Sequence, residues 1–331
     1  RCSRDWSSDV CSSDLLLAHL DRLARQAEGR LIVMMPPGSA KSTYASVVFP
    51  AWWLLRRPRA RIIAACHTEA LAASFGRRVR ALVAEHGADF GVALARDDRA
   101  AARFATGAGG SYFGVGVRGP LAGRRADLIV IDDPVRGWAE ADSAAAREAL
   151  WDWFRADLIT RLSPGGRCVL VMTRWHEDDL AGRLIAGDEG WQALALPAVA
   201  GAGDPMGRAP GAALWPQAED AAALARRQRL MGPRAWAALY QQAPRSDAEA
   251  LFQVGRIGVL EEMPECRRVV RAWDLAATEA GQGRDPDWTV GVKLGRLEEG
   301  RVAVLDVQRL RAGPAEVAAA IVQTAKLDGR S

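Results

Sequence analysis

Four short apolar runs, separated by helical stretches, set the limits on what this chain can fold into. Residues 30–35 read RLIVMM, 61–66 RIIAAC, 126–131 ADLIVI and 167–172 RCVLVM. None alternates apolar with polar residues, so each reads as a strand buried on both faces. Between them lie residues 16–28, with Leu16, Leu20, Leu23 and Ala27 near one face, and a helix from Ser42 to Arg57 that Pro50 kinks or breaks. Further helices cover about residues 69–85 and 144–162. This βαβα order predicts an α/β fold, a parallel sheet with helices on both faces.

The pattern changes twice further on. Residues 197–216 turn to Gly, Ala and Pro and lose periodicity, which reads as a crossing into a linker region with two short helices, at 221–231 and 233–241. After Pro264, residues 268–276, 288–297 and 301–310 read as strands joined by Gly-containing turns, an antiparallel meander at the edge of a mixed sheet, before a helix that starts at Pro314.

Length and composition bound the rest. A chain of 331 residues with 49% hydrophobic and 25% charged residues favours two domains with real cores. No run of eighteen apolar residues occurs, so a membrane span is not supported. A net charge of +4 permits a polyanionic partner without requiring one. Cys2, Cys11, Cys66, Cys168 and Cys266 form no CxxC pair, and the four His are not at zinc spacing from them, so the reading is free thiols in a reducing cytoplasm. Residues 1–15, RCSRDWSSDVCSSDL, lack the apolar stretch of a signal peptide and resemble a translated sequencing adapter joined to a truncated reading frame. They are set aside as non-native.

Chemistry enters at Pro36-Pro37-Gly38-Ser39-Ala40-Lys41-Ser42-Thr43, between the first strand and its helix. Gly38, Ser39, Ala40, Lys41, Ser42 and Thr43 form a loop whose N–H groups and helix N-terminus suit phosphates. Lys41 would reach the terminal phosphates of ATP and the Ser42 hydroxyl would ligate Mg²⁺. A strict P-loop has Gly where Met35 and Ala40 stand, and the bland alternative is an ordinary Pro-Gly turn. The strand 127–133 ends in Asp132-Asp133-Pro134, the form of a Walker B strand. Asp132 would hold the Mg²⁺ shell and Asp133 would orient or deprotonate the attacking water. Thr173, at the next strand end, reads as a sensor linking nucleotide state to motion. His176 reads as a cap or packing residue, and the acids 177–179 suit a helix N-terminus. Any of Arg118, Arg124 and Arg125 could serve as an arginine finger, or line a solvated or DNA-facing loop.

The segments PPGSAKSTYASVVFPAWWL, GVRGPLAGRRADLIVIDDPV, LWDWFRADLITRLSPGGR, MTRWHEDDLAGRL and WAALYQQAP together resemble phage terminase large subunits. The resemblance runs from Leu16 to the C-terminus and tolerates a phosphate loop without the strict glycines. It implies a P-loop NTPase parallel-sheet domain over residues 16–200, a small helical linker region over 201–265, and part of an RNase H-like α/β nuclease domain over 266–331. It implies an ATP-hydrolysing motor that moves viral double-stranded DNA into procapsids in the host cytoplasm. The partners implied are a portal protein, a small terminase subunit and a homo-oligomeric ring, with no membrane. Many related motors carry Glu where Asp133 stands. The resemblance further implies a Mg²⁺- or Mn²⁺-dependent two-metal nuclease, with Asp274 as its first ligand and catalytic acid and Asp287 as a second metal ligand. Asp306, Glu316 and Asp328 read as surface or capping residues. Several convergent carboxylates are needed, so the expectation is a chain that does not cut DNA. A helicase-like ATPase and an inert prophage remnant are the competing readings.

Overall fold

The apolar runs become the centre of an eight-stranded sheet in the first of two units, Arg1–Ala250; the second is Leu251–Ser331. A computed structural model describes residues 11–99, 102–187, 190–244, 257–276 and 288–329. The sheet contains β1 (Gly29–Met34), β2 (Arg61–Cys66), β3 (Leu94–Arg99), β4 (Arg103–Thr106), β5 (Ser111–Gly116), β6 (Ala126–Asp132), β7 (Leu162–Met172) and β8 (Trp191–Ala195). Their order is β3-β4-β5-β2-β6-β7-β1-β8. Neighbours from β5 to β8 are parallel; β3, β4 and β5 pair antiparallel at one edge.

The unbroken apolar runs are explained by two cores, one on each face. Leu31, Val33, Leu128 and Val130 enter the cluster under α1 (Ser12–Arg25), α2 (Phe49–Arg56) and α3 (Glu69–His86). Ile32, Met34, Ile129 and Ile131 point the other way, into the cluster under α4 (Trp138–Asp142), α5 (Ala144–Asp152) and α6 (Leu180–Ala186). Alternation of period two therefore survives, but both faces are apolar.

Several details depart from the sequence reading for local reasons. α1 ends at Arg25, so Ala27 is exposed rather than on the buried face, while Leu16, Leu20 and Leu23 are buried as the periodicity requires. It begins at Ser12, and Leu15 packs against the first core. Pro50 does not break its helix. The chain takes a π-helical turn over Thr43–Val48 and runs directly on into α2, with the proline at its second residue. Strands β3, β4, β5 and β8 were not legible. Their sequences are polar, glycine-bearing or very short, as in SYFGVG and WQALA.

Residues 197–244 also belong to the first unit. α7 (Ala221–Ala235) is interrupted where Gly232 turns to φ 76° and runs into a second π-helical turn, Trp236–Tyr240. Ala198, Ala213, Leu224, Trp236 and Tyr240 form a small core of their own. The second unit is the expected meander, β9 (Arg268–Asp274), β10 (Thr289–Arg296) and β11 (Val302–Leu310) in the order β11-β10-β9, followed by α8 (Pro314–Asp328). Arg271 on β9 ties the unit together, bonding Asp306 on β11 at 2.7 Å and Asp328 on α8 at 2.6 Å. Among the described residues no helix is long and apolar enough to cross a membrane.

Leu170 is fully buried near the C-terminal end of β7, paired with Ile32 of β1 and Ile131 of β6. Leu170→Ala is expected to lower unfolding stability by about 2–5 kcal/mol, read from the urea midpoint. A loss under about 1 kcal/mol would remove β7 from the sheet's core.

Candidate active site

Strand order decides where the chemistry gathers. β7 lies between β1 and β6, and the three are parallel. Their C-terminal ends share one edge, the place where open α/β sheets receive ligands. The loop after β1, the acids after β6 and Thr173 after β7 are thereby brought together.

The loop is shaped by its backbone. Gly38 takes φ 77° and Ala40 takes φ 61°, left-handed residues of the kind found where successive N–H groups line an anion-binding concavity. Ala40 stands where the strict motif has glycine, and its left-handed conformation is the one a glycine would favour. Ser39 closes the turn by donating from its hydroxyl to the Pro36 carbonyl at 2.7 Å. A side chain added at Gly38 would meet nothing within 4 Å, so the space over the loop is open.

Lys41 is 6% exposed. Its Nζ lies 3.4 Å from Asp133 Oδ2 and 3.5 Å from Thr173 Oγ1. Ser42 Oγ donates to Asp132 Oδ1 at 3.0 Å, across 90 residues of sequence. Ser46, one turn further on, donates to the other oxygen of the same carboxylate. Asp133 is engaged through every polar group. Its N–H donates to the Val171 carbonyl at 2.8 Å. Its Oδ1 accepts from the Thr173 N–H at 2.9 Å, and its carbonyl accepts from His67 Nδ1 at 3.0 Å.

Burial, and then the charge of Asp133, push the Asp132 carboxyl well above the usual carboxylate range; the two serine hydroxyls and Lys41 act in the opposite sense. A cation at this carboxylate would favour its ionised form. That is the setting a nucleotide-borne Mg²⁺ requires, since Mg²⁺ keeps waters and phosphate oxygens and takes only one or two protein ligands. Ser42 and Asp132 fit that demand. Among the described residues no cluster of three or more His, Cys, Asp or Glu could hold a metal unaided.

Beyond Thr173 the chain is pinned by a buried pair. Arg174 Nε lies 3.0 Å from each oxygen of Asp179, which also caps α6 through the Gly182 N–H at 2.8 Å. The Arg174 N–H donates to Gln242 Oε1 at 3.2 Å. His176 accepts the Asp178 N–H at 3.0 Å, a local turn contact. Arg118 and Arg125 are exposed, and the Arg124 guanidinium lies 3.5 Å over the Phe113 ring. In the second unit Asp274 is exposed at the end of β9, and Asp287 lies outside the described residues. Asp306 and Asp328 are paired with Arg271, and Glu316 caps the Gly313 N–H at 3.4 Å.

Residues 32–258 match the family described as terminase large subunit, T4likevirus-type, N-terminal. The chain belongs to the terminase large subunit family. Solved structures similar to it include the large terminase of bacteriophage HK97, at 15% identity and TM-score 0.46, covering 90% of this chain and 61% of that one. Another is the large terminase from a thermophilic bacteriophage in complex with ADP, at 9% identity and TM-score 0.41, covering 98% and 75%. A third is a mutant ATPase domain from the Thermus phage P74-26 large terminase, at 16% identity and TM-score 0.48, covering 69% and 96%. The chain thus spans about three fifths of the HK97 protein, 61% of its length. No curated protein matches the sequence.

For this terminase-family chain the sequence reading named Lys41, Ser42, Asp132, Asp133 and Thr173, and these five side chains do meet. Ser46, His67 and Gln242 went unnamed. Ser46 follows Ser42 by one helical turn, a spacing that could have flagged it. His67 and Gln242 reach the site only through strand order and a long return of the chain, which leave no local signal.

Ala40→Gly is expected to stabilise the protein by about 0.5–1 kcal/mol, because it removes a left-handed alanine at a modest entropic cost. A measured destabilisation would contradict the backbone assigned to this loop.

Proposed function

We propose that this chain carries the ATP-hydrolysing motor part of a DNA-packaging terminase. The observation that carries the reading is the meeting of Ser42 with Asp132 at 3.0 Å and Lys41 with Asp133 at 3.4 Å, beside a loop in which Gly38 and Ala40 take left-handed backbone. Family membership supports it. In this reading residues 16–200 hold the ATPase, 201–265 the linker and 266–331 the start of a nuclease domain.

The residues divide the work by their chemistry. Loop N–H groups at residues 38–43 and the helix they begin receive the phosphates. Lys41 leaves Asp133 for the terminal phosphates, where a point cation is most useful. That departure frees Asp133 Oδ2 to orient the attacking water and take its proton, while Oδ1 stays on the Thr173 N–H. Ser42 and Asp132 would hold a Mg²⁺ ion, which when bound would supply positive charge to offset the charge developing on the phosphates. Thr173 touches both Lys41 and Asp133, so it feels whether the lysine has moved. Arg174, next in the chain, is bonded to Gln242 and offers a route for that change toward residues 241–244.

The wider role belongs to the whole protein. It moves double-stranded DNA into a procapsid as a ring on a portal protein, with a small terminase subunit as partner, in the host cytoplasm. DNA is gripped through phosphates, so binding weakens steeply with salt. Asp274 is proposed as one ligand of a Mg²⁺- or Mn²⁺-dependent nuclease centre, with Asp287 a second.

Lys41→Ala is expected to reduce Mg²⁺-dependent ATP hydrolysis by the purified chain to background. Hydrolysis that persists in the variant would overturn the role given to the loop.

A further inference from the structure

Asp133 is held in a conformation its own sequence disfavours. Its φ is 41°, in the left-handed region that side chains with a Cβ rarely adopt. It also precedes Pro134, and a following proline pushes a residue toward extended backbone. Two local preferences oppose the observed geometry, so neighbouring groups must impose it.

Those groups come from both flanking strands. β6 lies between β7 and β2. On the β7 side, the Asp133 N–H donates to the Val171 carbonyl at 2.8 Å, and its carboxylate accepts from the Thr173 N–H at 2.9 Å. These contacts fix the residue up to its side chain. By holding both the N–H and the side chain, they set φ; they leave the carbonyl, and with it the peptide plane to Pro134, free to turn about Cα–C. On the β2 side that carbonyl is caught. His67, the residue following β2, places Nδ1 at 3.0 Å from the Asp133 oxygen. A carbonyl can only accept, so Nδ1 carries the proton. Both ring nitrogens of an imidazolium also donate, so the contact does not depend on the charge of the ring.

We propose that His67 is a positioning residue: through its Nδ1–H it locks the Asp133 peptide and keeps the Asp133 carboxylate facing Thr173 and the phosphate loop. His67 touches neither Lys41 nor Asp132 in this arrangement, and it acts through Asp133 alone. The inference rests on the reading of Asp133 as the group that handles the attacking water. It extends that reading to a residue outside both nucleotide-binding motifs.

Three variants of the full chain separate the hydrogen bond from mere bulk. The side-chain nitrogen of Asn occupies the place of Nδ1, and that of Gln the place of Nε2. Crystal structures of wild type, His67→Ala, His67→Asn and His67→Gln are compared for the Asp133 backbone, together with kcat and KM for ATP. His67→Asn is expected to keep the Asp133 carbonyl in its wild-type orientation and to retain wild-type turnover. His67→Ala and His67→Gln are expected to let the Asp133 carbonyl turn about Cα–C and to loosen the Thr173 contact. Their kcat should fall at least about tenfold, since misplacing a reacting group by an ångström costs on the order of a hundredfold; KM for ATP should not change. If His67→Ala fails to fold, the Asn and Gln variants decide the same question. Asp133 unmoved in His67→Ala or His67→Gln, or His67→Asn behaving like alanine, would overturn the proposal, as would an unchanged kcat. A wild-type chain that does not hydrolyse ATP counts against the catalytic reading of the site, and the Asp133 backbone in the variants then decides the role of His67 alone.

Discussion

Two adjacent carboxylates at the end of a strand buried on both sides are costly, and the architecture around them is arranged to hold them. Asp132 is nearly inaccessible and Asp133 is next to it. Buried charge is tolerated only with partners and hydrogen bonds. The partners come from three separate elements: Ser42 and Ser46 from the helix after β1, Lys41 from the loop before it, and Thr173 from the end of β7. None of this would work if β1 and β6 were direct neighbours. β7 lies between them and carries Thr173 into the gap, where it contacts both the lysine and the second acid.

Two of the four non-glycine residues with left-handed backbone, among those described, lie at the same place; Arg118 and Gln242 are the others. Ala40 and Asp133 both take left-handed backbone without being glycine, one beside the lysine and the other beside the proline. Such conformations persist where surrounding contacts over-determine them, and they mark sites that need a fixed geometry. At Ala40 the over-determination comes from the closed Pro36–Ser39 turn and the buried lysine that follows. At Asp133 it comes from strands on either side. Order in the loop after Thr173 has a different source, the Arg174–Asp179 pair, which fixes the start of α6 and leaves the Arg174 N–H for Gln242.

What could be read from the sequence follows from how local each signal is. The central strands were legible because short runs such as LIVM and LIVI, bounded by turn residues, suit a strand that buries both sheet faces. Lys41 and Ser42 were legible from the loop pattern that follows the first run, and Asp132, Asp133 and Thr173 as polar residues at the ends of two others. The edge strands were not, since RFAT and SYFGVG owe their strand state to a neighbour rather than to their own pattern. Pro50 misled because a proline signals a break only when the helix stays α; the π-helical turn before it removed the conflict. Ser46 and His67 depend on which helix and which strand stand beside β6, and that is a property of topology.

The central claim is that Ser42 and Asp132 hold a metal carried in with a triphosphate over the loop at residues 36–43. Anomalous diffraction from crystals of this chain grown with Mn²⁺ and a slowly hydrolysed ATP analogue tests it most directly. The account predicts a metal peak at about 2.1 Å from Ser42 Oγ, beside the Asp132 carboxylate, with Lys41 withdrawn from Asp133 onto the phosphates. A metal found elsewhere, or a nucleotide bound with Lys41 still paired to Asp133, would contradict it.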